Sequence, residues 1–423
     1  MRYFHSAAVV GTPSSSVSLL TGEATEDDEG DYVLGLRASP DGTRVAAIVS
    51  DFTVRVHRAT QRKKAAAALP PLAHLAGVHR ARITDATWIN DACIVTCDEA
   101  GAVYRWDVAT SAPSRVTDCG GSAAYALAVG CGATLLAVGS EATITFFDIA
   151  SGRRLGLFEE SHTERVVQLL FHPTTPTHLY SCSEDGLVCL FDVSVSGEEN
   201  ALLCVANVEC AIERIGLFGA SFDHIWVVSQ METFCVWHFT AEESTIVADR
   251  PRMRDDLAAV GSAAAYLLGA TLDPATQQLC VLSGDRSGRV SLTALQPGGG
   301  GAGALVPIAS LAGGGGHRAT VRCFVQLGAM GGVGGAGAGA LLVTGGEDAQ
   351  LCAWGSTPPP PPPIVAPATV TAAATAATAA AGGGAGAALS TSPSRKLAAS
   401  GGGAMRSSRG GGGGASRSRA SPF

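Results

Sequence analysis

Short apolar runs that alternate with polar residues recur along most of this chain, and a turn closes each run. In the clearest copy, Val166–Phe171 alternates, a Pro-containing turn follows, and a second run covers His178–Cys182. The tight turn Ser183–Gly186 then leads into Val188–Phe191. Period-two alternation with Asp-Gly and Pro turns between short runs is typical of antiparallel strands. Because the repeats lack an apolar stripe with the 3.6-residue period of a helix, the pattern predicts an all-β fold.

A strand that ends in an aromatic residue, often followed by Asp, returns every 41–61 residues. The repeated position is occupied in turn by Val56, Trp106, Phe147, Phe191, Trp237, Thr293 and Trp354. The two longest spacings adjoin Gly-rich stretches, so the underlying period is about 40–45 residues, the length of a four-stranded propeller blade. We predict seven blades, at 32–60, 77–112, 119–155, 161–196, 205–240, 264–296 and 317–356.

A seven-bladed ring closes without an exposed sheet edge when one blade takes a strand from the other end of the chain. Two N-terminal segments, Tyr3–Val10 and Ser16–Leu20, have the apolar character for this strand. Either one is predicted to complete the blade that ends at Trp354. An acidic loop follows them, before the first blade begins.

Composition separates this folded part from low-complexity segments. Gly accounts for 53 of the 423 residues and clusters at 298–303, 313–316 and 331–340, which we interpret as insertions into the propeller. Residues 357–423 are rich in Pro, Ala and Gly and are predicted to form a disordered tail. The predicted organisation is therefore an N-terminal segment at 1–31, a propeller at 32–356 and the tail.

Charge divides the chain in the same place. The net charge of −8 combines about −14 up to Asp348 with +6 beyond it, where only basic residues carry charge. A basic tail can contact RNA, DNA or an acidic surface through its charge. Its one aromatic residue, Phe423, gives little basis for stacking on nucleobases. The six prolines at 358–363 form either a stiff spacer or a ligand for a groove that binds polyproline helices.

Cysteine usage and hydropathy indicate the compartment. The twelve cysteines include no Cys-x-x-Cys pair, and most lie within apolar runs, where thiols behave as small hydrophobic groups. No stretch of 18 or more strongly apolar residues occurs, and the N-terminus lacks the apolar region of a secretory signal. We therefore expect a cytoplasmic and/or nuclear protein without a membrane span.

His, Ser or Thr, Asp and Trp recur at matching positions in the blades. In the last blade these positions hold His317, Thr344, Asp348 and Trp354. In the fourth blade they hold His162, Ser181, Asp185 and Phe191. In the second blade they hold His79, Thr96 and Trp106, with Ala100 in place of the turn Asp.

This set of residues resembles the WD40 repeat family. In that family such side chains form a hydrogen-bonded chain that stabilises the blade. The resemblance implies a seven-bladed, non-enzymatic propeller, and it indicates a fold more than an activity. It also implies that the residues named above in the fourth and last blades form structural networks.

The same residue types could suggest a Ser-His-Asp hydrolase, but their recurrence in several blades favours a structural role. The chain has no Gly-x-Ser-x-Gly elbow, no Gly-x-x-x-x-Gly-Lys-Ser/Thr phosphate loop and no His-Glu-x-x-His zinc helix. The sequence therefore predicts no catalytic residue, no cofactor and no metal ligand. We do not expect an enzyme.

The leading interpretation is a monomeric scaffold that mediates protein–protein interactions within a larger complex. Its contacts are expected on the rim, where first strands begin and tight turns meet. The residues predicted to contact partners are Arg165, Glu184, Thr320 and Glu347.

Two alternatives remain open. One is a ribonucleoprotein or ribosome-assembly factor that uses its basic tail. The other is a substrate adaptor of a cullin-4 ubiquitin ligase. WD40 adaptors of that class often carry Trp-Asp-x-Arg, whereas the segment Trp106–Ala109 has Ala at the Arg position.

Overall fold

Seven β-sheets follow one another along the chain in the computed structural model. It describes residues 9–11, 15–19, 31–59, 69–273, 276–296, 303–312, 315–327 and 341–355. Two short N-terminal strands come first, β1 (Val9–Gly11) and β2 (Ser15–Ser18). The Gly-rich insertions predicted at 298–303 and 331–340 fall almost entirely outside the described residues, as does the tail predicted at 357–423.

Each of the first four blades contains four strands. In chain order they are β3 (Val33–Ala38), β4 (Arg44–Val49), β5 (Thr53–Arg58) and β6 (Pro71–Leu75); β7 (Ile83–Asn90), β8 (Cys93–Asp98), β9 (Ala102–Asp107) and β10 (Ala112–Asp118); β11 (Ala126–Gly130), β12 (Leu135–Gly139), β13 (Ile144–Asp148) and β14 (Arg154–Phe158); and β15 (Val166–Phe171), β16 (His178–Ser183), β17 (Leu187–Asp192) and β18 (Leu202–Asn207).

The last three blades follow the same plan. Their strands are β19 (Ile212–Phe218), β20 (His224–Ser229), β21 (Phe234–Phe239) and β22 (Ser244–Arg250); β23 (Tyr266–Leu272), β24 (Leu279–Gly284), β25 (Val290–Gln296) and β26 (Ala304–Leu311); and β27 (Val321–Leu327), β28 (Leu341–Gly346) and β29 (Gln350–Gly355). Two short helices lie between strands, α1 (Glu198–Ala201) and α2 (Met253–Ala259).

Within every blade, strands that are consecutive in the chain are antiparallel neighbours, so the first five sheets are simple meanders. This arrangement confirms the prediction of a seven-bladed, all-β propeller. The order follows from the short Gly- and Asp-containing turns, because a tight turn can join only adjacent antiparallel strands.

The hydrophobic core consists of seven clusters, and each cluster lies between two neighbouring blades. Blades 1 and 2, for example, share a cluster that includes Ile48, Ile83 and Trp106. The alternating positions of a strand place apolar side chains on both faces of each sheet, so both faces are buried by neighbours. A blade therefore gains most of its apolar burial only when the adjacent blades are present.

The ring closes through β2, which pairs antiparallel with β29 and becomes the outer strand of blade 7. Ser15 lies opposite Ala353, and Ser18 lies opposite Gln350. Leu19 follows this strand, donates its backbone N–H to the carbonyl of Ala349 and is only 3% exposed. The N-terminal segment thus contributes to the cluster that joins blades 7 and 1.

The other N-terminal segment has a different role from the one expected. β1 pairs in parallel with β26, so that blade 6 has five strands. The chain therefore crosses the outer edges of two adjacent blades before it enters blade 1.

Close backbone packing supports the closure. A Cβ atom on Gly345 in β28 would lie 2.5 Å from a methyl group of Val33 in β3. Only Gly allows these two strands to approach so closely across the junction between the last and the first blade.

Several fourth strands lie beyond the blade limits that the sequence indicated. Pro71–Leu75 follows the predicted end at 60, Ser244–Arg250 follows the end at 240, and Ala304–Leu311 follows the end at 296. Their side chains are mostly exposed or half-buried. Since an exposed outer strand needs little apolar alternation, the hydrophobic pattern does not reveal it.

Candidate protein-interaction face

A complete hydrogen-bonded chain of four side chains lies inside blade 7. The Trp354 indole N–H donates to Thr344 Oγ1 at 2.8 Å, and this hydroxyl lies 2.8 Å from His317 Nε2. The other ring nitrogen of His317 lies 2.9 Å from a carboxylate oxygen of Asp348. A neutral imidazole with its proton on Nδ1 satisfies every member, because Thr344 then donates to Nε2 and Nδ1 donates to Asp348.

Blade 4 contains a shorter version of the same chain. His162 Nε2 lies 2.7 Å from Ser181 Oγ, and His162 Nδ1 lies 3.0 Å from Asp185 Oδ2. Asp185 also accepts the backbone N–H groups of Thr163 and Leu187, so it holds the tight turn in place. Phe191 occupies the aromatic position without an indole donor, which ends this chain at Ser181.

Blade 2 also contains a complete chain, and the expectation that its turn carboxylate is missing is wrong. Asp98 supplies the carboxylate from the end of β8, at 2.7 Å from His79 Nδ1. Thr96 Oγ1 lies 2.6 Å from His79 Nε2 and accepts the Trp106 indole N–H at 2.9 Å. The carboxylate comes two residues after Thr96 instead of four, and it still caps the turn by accepting the backbone N–H of Ala100.

These networks are enclosed by the blades. The three His side chains are at most 1% exposed, which leaves no room for a substrate beside them. The thiols offer no nucleophile there either: burial, with a smaller effect of Asp185, raises the pKa of Cys189 to about 12. The networks therefore stabilise blades and do not form a catalytic site.

Acid should weaken the fold because burial changes the titration of these groups. Burial lowers the pKa of both His57 and His79 below its ordinary value of about 6.5, although hydrogen bonds to Leu69 and Asp98 oppose the change. The unfolded chain then binds more protons than the folded chain below pH 6.5, so stability is full above that pH and falls beneath it. We expect the urea midpoint of unfolding to decrease as the pH is lowered from 7.5 to 5.5.

The variant His57→Gln should flatten this pH dependence. A wild-type urea midpoint that stays constant over the same interval would contradict the prediction.

At still lower pH we expect a second loss of stability, when Asp348 is protonated. Burial opposes the ionisation of Asp348, but hydrogen bonds from His317 and from turn amides outweigh it and hold the pKa of Asp348 below its ordinary value.

The predicted contact residues lie at one end of the blades. We call it the turn face: it carries the tight turns between second and third strands and the segments that enter the first strands. Arg165 and Glu184 meet there at 3.5 Å, and the Arg165 guanidinium stacks over the Tyr125 ring of blade 3 at 4.3 Å. Glu184 also accepts a hydrogen bond from Gln230 of blade 5. These side chains link three successive blades.

The other predicted pair lies on the turn face of blade 7. Glu347 accepts from Arg322 at 2.7 Å, and its backbone N–H donates to the carbonyl of Thr320. Arg322 lies 5.8 Å from the centre of the Tyr32 ring of blade 1. The structure thus brings Arg165 to Glu184 and Thr320 to Glu347, in two separate places on one face.

An uneven charge distribution distinguishes the turn face of blades 3 to 5. Among the glutamates in its turns and strand starts, six make up what we call the acidic sector: Glu141, Glu164, Glu184, Glu209, Glu213 and Glu232. Four of the six are exposed, while Glu184 and Glu232 are half-buried. Burial and the neighbouring charge of Glu213 raise the pKa of Glu232, although the N–H of Leu267 and the charge of Arg254 oppose the change. Glu213 and Glu232 therefore lie close enough to repel each other.

Three acids elsewhere on this face have Arg partners. Glu99 lies 3.8 Å from Arg82, Asp285 lies 3.8 Å from Arg289, and Glu347 pairs with Arg322. Within the described ranges, the ion pair with Arg165 is the one that involves the acidic sector. Most of the negative charge of the acidic sector is thus not neutralised by an ion pair within the described residues.

An exposed apolar side chain adjoins the acidic sector. Met231, in the turn between β20 and β21, is 74% exposed and lies between Gln230 and Glu232. The sequence interpretation did not select Met231 or Tyr125. A turn residue between polar neighbours does not belong to an alternating apolar pattern. Only its position on the turn face therefore shows that it can contact a partner.

The comparison with family models decides the identity of the repeat. The model described as "WD domain, G-beta repeat" matches residues 153–192, which hold β14 to β17 and the whole network of blade 4. The chain is a seven-bladed β-propeller that contains a repeat similar to the WD domain. A second model, "Lipoprotein LpqB beta-propeller domain", matches residues 5–146 of the propeller.

Curated relatives of the propeller carry the same repeat in their names. The "WD repeat-containing protein 89 homolog" of Dictyostelium discoideum is 24% identical over 271 residues, which cover 62% of this chain and 69% of the relative. The "WD repeat-containing protein GTS1" of Arabidopsis thaliana is 26% identical over 332 residues, which cover 77% of this chain and 81% of the relative. An uncharacterized WD repeat-containing protein of Schizosaccharomyces pombe is 27% identical over 204 residues, covering 45% and 60%.

The fold of the propeller fits a protein-interaction scaffold, and WD40 propellers are generally non-enzymatic. Neither helix of the described part of the chain has the length and hydrophobicity to cross a membrane. The basic and Pro-rich segments on which the RNA-binding prediction depends lie outside the described residues.

Proposed function

We propose that the propeller is a non-enzymatic scaffold of a larger cytoplasmic or nuclear complex, and that its acidic sector binds a Lys- or Arg-rich segment of a partner protein. The observation that carries this proposal is the group of six glutamates on the turn face of blades 3 to 5, of which only Glu184 has an ion-pair partner among the described residues. A partner with basic side chains supplies the charges that the chain itself does not place there.

Charge and apolar contact act together in this proposal. A field of one sign over a face attracts an oppositely charged partner and raises the rate of association. Exposed Met231 offers an adaptable apolar contact beside the acids, as Met does at many binding surfaces. The stacked pair of Tyr125 and Arg165 gives the same surface a rigid aromatic group.

The proposed compartment has support from the thiols. All twelve cysteines are free, and nine of them are buried. A chain without disulfides suits a reducing compartment.

A charge-neutralising triple variant tests the binding surface. Glu164→Gln, Glu209→Gln and Glu213→Gln together remove three exposed charges from the acidic sector without changing side-chain size. We expect the association rate with the physiological partner to fall by roughly tenfold at low salt, because rim charges act mainly on association. Quantitative affinity capture identifies the partner, and surface plasmon resonance with the purified partner measures the rate.

The matched control removes three charges from the same face. Glu99→Gln, Asp118→Asn and Asp285→Asn change acids that already have Arg partners, and they should leave the rate within about twofold. An equal loss of association rate in both triple variants would show that the net charge of the protein, and not the acidic sector, determines the rate. Unchanged binding in both variants would contradict the proposal.

A further inference from the structure

Three side chains with metal-binding groups meet at the opposite end of blade 5. Asp223 ends the connection between β19 and β20, and His224 begins β20. His238 lies in β21, directly opposite His224 in the strand register. One donor atom from each of the three side chains lies within 4.8 Å of the other two.

The geometry within this cluster is compact. Asp223 Oδ1 lies 2.6 Å from His224 Nδ1, and Asp223 Oδ2 lies 3.6 Å from His238 Nε2. The two imidazole rings have centroids 4.8 Å apart. Tetrahedral zinc with bonds of about 2.0–2.2 Å holds its donor atoms about 3.3 Å apart. Small side-chain rotations therefore suffice to place all three around one ion.

The backbone leaves space for an ion beside these atoms. Gly219 has a φ of 95°, and a Cβ atom there would lie 3.4 Å from both Asp223 Oδ1 and His224 Nδ1. The absence of a side chain keeps this space open. Phe218 packs its ring 5.4 Å from that of His224, and the Phe239 N–H donates to the carbonyl of Asp223, so both residues are held in position.

The local electrostatics favour a cation. The Asp223 carboxylate brings a negative charge to the cluster, because an aspartate side chain ordinarily ionises well below neutral pH. Among the described residues, these two imidazoles are the basic side chains within ion-pair distance of Asp223. Each of the three side chains remains about one-third exposed, at 33–36%, which gives an ion access from solvent.

We infer that Asp223, His224 and His238 form a binding site for a divalent transition ion of the zinc class. Two imidazoles and one carboxylate suit Zn²⁺, whereas Mg²⁺ and Ca²⁺ prefer oxygen ligands alone. Three protein ligands leave a fourth position for water or for a ligand from a partner. This inference does not depend on the acidic sector, which lies at the other end of the blade.

The first test uses the full-length wild-type chain after removal of metals with a chelator. Zn²⁺ is titrated against a competing chromophoric chelator, and Co²⁺ serves as the spectroscopic probe. We expect one equivalent to bind, with visible ligand-field bands and without the near-ultraviolet band of cobalt thiolate. The spectrum matters because Cys119, Cys131 and Cys210 are partly exposed and offer competing ligands.

Two conservative variants locate the site. Asp223→Asn and His238→Gln should each weaken Zn²⁺ binding by roughly 100-fold or more, since even changes to outer-shell partners cost 10–100-fold. His74→Gln, an exposed His in blade 1, is the matched control and should bind as the wild type does. Circular dichroism without metal checks that each variant folds.

Three results would overturn the inference: no wild-type binding, a thiolate spectrum, or equal affinities in the wild type and both variants. If a variant does not fold, the cobalt spectrum of the wild type still decides, because it reports the ligand type directly. Loss of zinc binding with unchanged partner association would leave the proposed function intact.

Discussion

Replacement of Thr344 by Val is expected to lower the free energy of unfolding by about 2–5 kcal/mol. Val has nearly the same volume, so packing changes little, but the hydroxyl that joins His317 to Trp354 is lost. Both partners are buried, and each unsatisfied buried polar group costs about 1–3 kcal/mol. Urea denaturation followed by tryptophan fluorescence and circular dichroism measures the change.

Blade 4 provides the internal comparison for this prediction. Ser181 bonds to His162, while Phe191 supplies no indole donor, so Ser181→Ala should cost only about 1–3 kcal/mol. Exposed Thr163→Val should stay within about 0.5 kcal/mol of the wild type. Equal losses for Thr344→Val and Ser181→Ala would show that the indole hydrogen bond contributes nothing to stability.

Replacement of Leu19 by Asp should destabilise the ring by about 4 kcal/mol or more. Loss of a buried Leu side chain costs about 2–5 kcal/mol, and a carboxylate placed in that cluster adds a desolvation cost. Leu19 is 3% exposed and packs in the cluster that joins blades 7 and 1. Hydrogen exchange should therefore accelerate first in β29 and β3, where the ring closes.

Leu72→Asp is the matched control, because Leu72 is 38% exposed on the outer strand of blade 1. It should change stability by about 0.5 kcal/mol or less. The prediction is wrong if the free energies of unfolding of Leu19→Asp and Leu72→Asp differ by less than about 1 kcal/mol. It is also wrong if hydrogen exchange increases uniformly over the propeller.

Together, the two predictions separate stability within a blade from stability between blades. Thr344 acts inside one sheet, through a chain of polar side chains that are satisfied only as a set. Leu19 acts across the junction where the last blade meets the first. A propeller needs hydrogen bonds within each sheet and apolar packing between sheets. The packing is needed because each sheet buries its faces only against neighbouring blades.

The turn chemistry of blade 2 shows the limit of aligning one repeat on another. Ala100 occupies the position of the expected Asp, yet Asp98 reaches the same imidazole from two residues earlier. Asp98 lies 2.7 Å from His79 Nδ1, so distance in space decides the partner. An alignment by spacing compares positions along the chain and misses this substitution.

By itself, the sequence determined the all-β class, the seven repeats and the His, Ser or Thr, Asp and Trp positions of blades 4 and 7. These are local properties: alternation, tight turns and side chains within one repeat. Only the tertiary structure decided which N-terminal strand closes blade 7, that the other joins blade 6, and that six glutamates share one face. It also brought Asp223, His224 and His238 together, although His238 is 14 residues from its cross-strand neighbour. The physical reason is that these features depend on strand register and ring closure, which join residues distant in the chain.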